Sequence, residues 1–260
     1  MALKISCIVI ARNEAQNIAP CLATLGWADE IVVVDSGSSD ETVAVARRYT
    51  DRVYDIPWRG FGPQKQAAVE LASFDLIFAI DCDERVTPEL AEEIRAIAFL
   101  ETPLAGYSVP RRTFLGDREV HHCGWYPDRT VRLFDRRRAR FSEDLVHERV
   151  IVDGTRGECT GHLLHYSFPN LTDLLAKLNR YTDLGAAQLA ARGVQPSLSQ
   201  VTLRPIYTFF RTYLVQCGFL DGYAGFVVSV ANAVSVFFKY AKLRDLRRAS
   251  MSSSSTESMR

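Results

Sequence analysis

Apolar residues fall in short unbroken blocks along the first third of the chain, and a helical pattern follows each block. Ile5 to Ala11, Glu30 to Asp35, Arg52 to Ile56 and Leu76 to Ile80 read as strands. Such continuous apolar runs suit strands covered on both faces. Glu14 to Leu25, Asp40 to Tyr49 and Gln64 to Ala72 read as helices, with Asp40 a candidate N-cap. Thr87-Pro88-Glu89-Leu90 opens a fourth, with Thr as cap and Pro at the first position. Repeated β-α-β units predict an α/β fold built on a mostly parallel sheet with right-handed crossovers. From Ala105 to about Gly161 the pattern is irregular and strand-rich, with clustered Arg, His and Trp of the kind found in substrate-holding loops.

After Asn170 the chain turns helical. Leu171 to Ala191 and Leu198 to Cys217 are amphipathic, and Gly222 to Phe238 carries no charge. That last stretch is at the short limit for crossing a bilayer, which takes about 20 apolar residues. Lys239, Tyr240 and Lys242 follow it, and cations beside an apolar face mark helices that lie in a membrane interface. Membrane-peripheral helices are therefore expected, with a buried helix pair or a true span as the alternatives. The serine-rich end has the composition of a disordered tail. The predicted division is a catalytic domain over 1–168, a helical region over 169–248 and a tail over 249–260.

The strand Leu76 to Ile80 ends in Asp81-Cys82-Asp83-Glu84. In an extended chain residues i and i+2 share a side, so Asp81 and Asp83 are expected to project together. Two such charges repel by roughly 1 kcal/mol in water and about 4 at an effective dielectric of 20. A divalent cation, Mg²⁺ or Mn²⁺, relieves that repulsion; the plainer alternative is a solvated acidic turn before a helix. Two other strand ends carry polar clusters, Ala11-Arg12-Asn13-Glu14 and Asp35-Ser36-Gly37-Ser38-Ser39-Asp40. In a parallel sheet all three meet at one edge, where open α/β sheets bind ligands.

Charge narrows the partners. Lys plus Arg and Asp plus Glu both number 31, so nothing asks for a nucleic acid. The basic knot Arg136-Arg137-Arg138 with Arg140 is a candidate anion contact. The six cysteines form no C-x-x-C pair and the first apolar run is too short for a signal peptide, so a reduced, cytoplasmic protein is expected. All five histidines lie between residues 121 and 165 and match no standard zinc spacing. Trp58, Trp125 and Tyr126 are candidates for stacking on sugar rings or for packing.

Ile8 to Glu14, Val32 to Thr42 and Ile80 to Glu84, taken in order, resemble the motifs of family 2 glycosyltransferases over at least residues 4 to 150. Val146-His147-Glu148 and the stretches Phe209 to Tyr213 and Gly218 to Tyr223 are similar to the bacterial lipopolysaccharide-core β-1,4-glucosyltransferase branch. The resemblance implies a GT-A fold, a nucleotide-sugar donor (UDP-glucose foremost), inversion at the anomeric carbon and a lipopolysaccharide-core or other lipid-linked acceptor at the inner membrane surface. It places the metal on Asp83, with Asp81 near the ribose and the metal's water shell, and His165 or His147 as a late ligand. Ala11, Asn13, Glu14, Asp35 and Ser36 would line the donor pocket. Many relatives carry two consecutive acids at the second motif; here Ser36 follows Asp35. Lys65 and the arginine knot are candidates to stabilise the leaving diphosphate. Glu148 is the candidate base, with Asp144 and Glu143 as competitors. Other acceptors (a polyprenyl phosphate, an exopolysaccharide, a peptide), a nucleotidyltransferase and an inactive membrane scaffold are the competing readings.

Overall fold

The computed structural model describes residues 2–144 and 148–257. The chain divides into two compact units, Met1–Arg112 with Pro127–Ser167, and Thr113–Tyr126 with Phe168–Arg260. The second unit thus takes residues 113–126 as well as the helices expected of it.

In the first unit, β1 (Ile5–Ala11), β2 (Glu30–Asp35), β3 (Val53–Asp55) and β4 (Leu76–Asp81) pair in parallel in the order β3-β2-β1-β4. The connecting helices are α1 (Ile18–Ala23), α2 (Thr42–Ala46) and α3 (Phe61–Leu71), and α4 (Pro88–Ala98) follows the short β5 (Glu84–Val86). Thr87 caps α4 by accepting the Leu90 N–H, as the Thr-Pro opening predicts. Asp40 is not the N-cap of α2; it accepts the Thr42 N–H from the turn before it.

Both faces of the parallel strands are covered, which is why they read as solid apolar runs. Cys7, Val9, Phe78 and Ile80 pack on one side with Ile18 and Leu22 of α1 and Leu90 and Ile94 of α4. Ile8, Val32, Ile77 and Ala79 pack on the other with Ala68 and Val69 of α3. This alternation is the period-2 geometry of a strand applied to a sheet with two apolar layers.

The irregular middle of the sequence forms β6 (Gly106–Leu115), β7 (Arg118–Val120), β8 (Asp128–Asp135), β9 (Ala139–Phe141), β10 (Val150–Val152), β11 (Arg156–Glu158) and β12 (Leu163–Phe168). β8 joins β4 antiparallel and β6 joins β8 antiparallel, so the sheet continues β4-β8-β6-β12-β5. β12 returns antiparallel to β5, setting His165 opposite Glu84.

The second unit centres on three helices: α5 (Leu171–Ala191), α6 (Leu198–Phe210) and α7 (Gly222–Glu257). Asn170 caps α5, and Ser197 with Gln200 forms a reciprocal capping box on α6. A π-helical turn, Arg211–Val215, extends α6, and a 3₁₀ turn, Gly218–Asp221, leads into α7. α5 and α6 both pack along α7. A Cβ on Gly225 would collide with the Gly218 carbonyl, so the start of α7 needs glycine to fold back on the preceding turn. α7 runs on into the serine-rich stretch read from sequence as a tail.

The cationic flank expected after Phe238 is largely used inside this unit. Tyr240 is buried, and its hydroxyl accepts from Arg204 at 2.6 Å. Lys242 pairs with Asp183 at 2.7 Å and donates to the Asn179 side chain at 2.7 Å. Both residues are thus partnered within the unit itself.

Phe78 is fully buried in the middle of β4, edge-on to Trp27 at 5.6 Å between ring centroids. Phe78→Ala should lower the unfolding free energy by about 3–5 kcal/mol, read as a fall in the urea midpoint.

Candidate active site

Parallel register brings the three polar strand ends together. Ala11 pairs with Asp35 across β1 and β2, and Ile10 pairs with Asp81 across β1 and β4. The Ser36 N–H donates to the Ala11 carbonyl at 2.9 Å, joining the first two clusters. Asn13 sits at φ 56°, a left-handed conformation that asparagine tolerates better than most residues. There its side-chain oxygen accepts the Ser39 N–H at 2.8 Å while its own N–H donates to Ser38 Oγ at 2.8 Å. The Glu14 N–H donates to Thr42 Oγ1 at 2.7 Å. Asp35 is buried and accepts the Ser38 N–H at 2.7 Å. Ser36 accepts from Gln64 Nε2 at 3.0 Å, and the buried Gln64 Oε1 has no hydrogen-bond partner among the described residues. The pocket expected from Ala11, Asn13, Glu14, Asp35 and Ser36 is therefore one hydrogen-bonded corner.

Asp81 and Asp83 do not share an extended segment. Cys82 and Asp83 form a turn between β4 and β5, so the shared orientation expected from an i, i+2 pair does not hold. Asp81 instead meets two cations, Lys65 Nζ and Arg132 Nη2, each at 2.7 Å. Lys65 also reaches Glu148 at 2.7 Å. Arg132 also reaches Glu84 at 2.6 Å, and Arg111 joins Glu84 at 3.3 Å and pairs with Asp128. The result is a ladder of alternating sign: Asp128, Arg111, Glu84, Arg132, Asp81, Lys65, Glu148. Glu84 is fully buried, and its second oxygen accepts the Asp81 N–H at 3.0 Å, which holds the turn closed.

Burial alone would raise the Asp81 carboxyl, but Arg132 and Lys65 overcome it and hold the group well below the usual carboxylate range. Burial works against the Lys65 ammonium too; Asp81 and Glu148 outweigh it and leave Lys65 above its ordinary value. Both groups are charged throughout the neutral range.

Asp83 lies on the other side of the turn, its carboxylate 3.3 Å from His165 Nε2, and its carbonyl accepts the Tyr166 N–H at 2.8 Å. Among the described residues no three His, Cys, Asp or Glu side chains converge as a ready-made metal cage. An oxygen and a nitrogen donor at this separation still suit Mg²⁺ or Mn²⁺ of the kind that takes one or two protein ligands and completes its shell with phosphate oxygens and water. The residues present thus fit such an ion.

Sequence reasoning places several other residues less well. Arg136 and Arg137 pair with Asp75, before the first residue of β4, and Arg137 also pairs with Asp135. They sit at the far end of the strand from Asp81, roughly 20 Å away at about 3.3 Å per residue, and are not diphosphate contacts. Asp144 and Glu143 are exposed; the Asp144 carbonyl accepts the Gly62 N–H at 3.2 Å. His147 lies outside the described residues. Trp58 packs edge-on to Phe61 at 4.8 Å. All six cysteines are free, and burial pushes the Cys7 and Cys82 thiols up, so these two pack as small hydrophobes. Arg132, Arg111 and the anchoring part of Glu84 were missed. The available signal was an arginine between Val131 and Leu133 in an otherwise apolar strand segment.

Residues 6–151 match the family model "Glycosyl transferase family 2". The chain is 32% identical over 253 residues to the lipopolysaccharide core biosynthesis glycosyltransferase LpsC of Rhizobium meliloti, spanning 93% of this chain and 92% of that protein. It is 30% identical over 256 residues to an uncharacterized glycosyltransferase of Rickettsia bellii, spanning 94% and 87%. Among solved structures, S. aureus TarS 1-349 aligns at a TM-score of 0.44 and 13% identity over 95% of this chain and 92% of that one, a likeness too slight to build on. A mixed α/β domain with its charged groups beyond the ends of parallel strands is a ligand-binding α/β enzyme domain. The chain belongs to glycosyl transferase family 2 and is a glycosyltransferase.

Because the Asp81 carboxyl is depressed in the fold, its contribution is present above an unfolded value of about 3.9 and is lost as pH falls below that. Wild-type Tm should therefore drop steeply from about pH 5 downward, and Asp81→Asn should flatten that limb while lowering Tm at neutral pH. Arg132→Met strands two acids and should cost about 3–5 kcal/mol, measured by urea unfolding.

Proposed function

We propose that the protein is an inverting hexosyltransferase that moves glucose from UDP-glucose to a lipopolysaccharide-core or other lipid-linked acceptor at the inner face of the cytoplasmic membrane. The observation that carries the chemistry is the Asp81–Lys65–Glu148 segment of the ladder, because it ties a donor-side carboxylate to an acceptor-side carboxylate through one ammonium. The acceptor is supported by LpsC, whose name places it in lipopolysaccharide core synthesis and which aligns over nearly its whole length.

In this reading the corner of Ala11, Asn13, Glu14, Asp35 and Ser36 receives the nucleoside. Asp83 and His165 hold a divalent cation, which supplies positive charge against the leaving diphosphate. Asp81 stays ionised and orders Lys65 beside the same charge. Glu148, a carboxylate kept in place by Lys65, takes the proton from the acceptor hydroxyl as that oxygen bonds to the anomeric carbon. The bond from that carbon to the diphosphate oxygen breaks, and the nucleoside diphosphate carries the electron pair away. Attack opposite the leaving group inverts the centre. Glucose-specific contacts are not needed for this step; they would select the donor.

Glu148→Gln should lower kcat by about 10²–10⁴-fold with donor KM little changed, because it removes proton transfer and not binding. A near-normal rate would move the base to Asp144. Asp83→Ala should abolish turnover and also abolish Mn²⁺ uptake in the presence of UDP by calorimetry; retained Mn²⁺ uptake would remove the metal from Asp83.

A further inference from the structure

Among the described residues of the helical unit, α5, α6 and α7 all leave large apolar side chains exposed, most fully along α6. On α6, Leu203, Ile206, Tyr207 and Phe210 recur at i, i+3, i+4 and i+7, the spacing of a single helical stripe, yet all four are exposed. Leu203 is 64% exposed and Tyr207 65%. The stripe carries on through the π-helical turn with Leu214 and Val215, the latter 77% exposed. α6 buries its opposite side, with Pro205 and Thr212 inward and Phe209 against Phe226 of α7 at 6.0 Å. Stripes of this size on a folded chain mark an interaction surface.

We infer that α6 lies in the plane of the membrane interface, its Leu203–Val215 stripe inserted among the acyl chains of an anionic bilayer. The inference rests on the membrane-facing part of the proposed function and names the element that carries it. The charges beside the stripe select the occupant. Arg211, opening the π-helical turn, is exposed, as is Arg204 on α6, which donates from Nη1 to the Tyr240 hydroxyl at 2.6 Å. Between residues 193 and 238 the single acid is Asp221. Asp221 is engaged, accepting the His122 N–H at 2.8 Å and facing His122 Nδ1 at 2.9 Å. A second copy pairing through this face would set arginine against arginine with no carboxylate from the same segment to answer it. Anionic headgroups above buried acyl chains answer both the guanidiniums and the stripe, and apolar area together with such attraction is what holds interfacial helices.

α7 is the rival element. By length and composition Gly218–Arg248 could cross a bilayer. It is, however, packed by both α5 and α6, and its basic end is tied down, with Lys242 on Asp183 and Arg247 donating to the Ala190 carbonyl at 2.7 Å. Tyr223, Phe226, Val230, Phe237 and Phe238 of α7 are exposed as well, so it is the tying down of its basic end that favours α6 as the membrane-facing element.

The test is flotation of the full chain with vesicles of phosphatidylcholine and phosphatidylglycerol, beside vesicles of phosphatidylcholine alone. Wild type should float with the anionic vesicles and lose binding as salt rises. Ile206→Glu with Phe210→Glu should reduce the bound fraction roughly tenfold or more, and Arg211→Gln should weaken binding to anionic vesicles only. Phe238→Glu, on an exposed position of α7, should float as wild type does. UDP-glucose hydrolysis without acceptor should be unchanged in all of them, which separates this inference from the catalytic reading. Equal flotation of wild type and the Ile206/Phe210 variant would remove α6 while leaving membrane association standing. Loss of flotation in Phe238→Glu alone would give the role to α7. Wild type failing to float with either vesicle would overturn the inference and the membrane part of the proposed function together. A wild-type dimer that becomes monomeric in the Ile206/Phe210 variant, with no flotation in either, would assign the stripe to self-association.

Discussion

The site depends on Asp81 held between Lys65 and Arg132. Burying a carboxylate and two cations costs several kcal/mol per ion, and only close, well-directed partners return it. Here each of the five inner members has a neighbour of opposite sign on either side, and Asp128 and Glu148 close the two ends. The ladder draws its members from β4, β5, β6, β8, α3 and the segment before β10, so it forms only when all of these are in place. It therefore links the fold of the sheet to the positions of the charged groups beyond the ends of the parallel strands.

That dependence explains how the acidic turn works. Glu84 faces inward and takes the Asp81 N–H, Arg132 and Arg111 together. With Glu84 fixed, the two aspartates on either side of Cys82 part company, Asp81 toward the cations and Asp83 toward His165. One turn thus serves two electrostatic environments, one already neutralised by the protein's own cations and one made of donors suited to an added ion. Arg111 uses the planar fork of its guanidinium to serve two carboxylates, Nε and Nη2 facing Asp128 and Nη1 facing Glu84, whereas Arg132 reaches Asp81 and Glu84 through Nη2 alone.

The parallel half of the fold was legible because it obeys local rules. Ile5–Ala11 and Glu30–Asp35 are found where the apolar runs begin and end, and Leu171–Ala191 where the helical spacing does. Their strand ends then converge by topology, so Ala11, Asn13, Asp35 and Asp81 could be grouped without coordinates. The helices read too long at α1 and α2 because turns with helical composition flank them. Two members of the arginine knot, Arg136 and Arg137, were misplaced for a different reason. Run length marks charge but not position, and Arg136 and Arg137 follow β8, which runs opposite to β4 and so delivers them to the wrong end of the sheet.

By itself the sequence determined where the backbone is extended or helical, which residues are apolar enough to be core, and that three polar clusters cap three parallel strands. Those properties rest on period and composition over a few neighbours. Only the tertiary structure decided that Arg132 is the partner of Asp81, that Lys65 spans to Glu148 over 83 residues of chain, that Tyr240 is bound inside by Arg204, and that the Leu203–Phe210 stripe of α6 stays exposed. Each of these is a choice among partners distant in sequence, settled by which side chains share a desolvated space, and no local pattern encodes it.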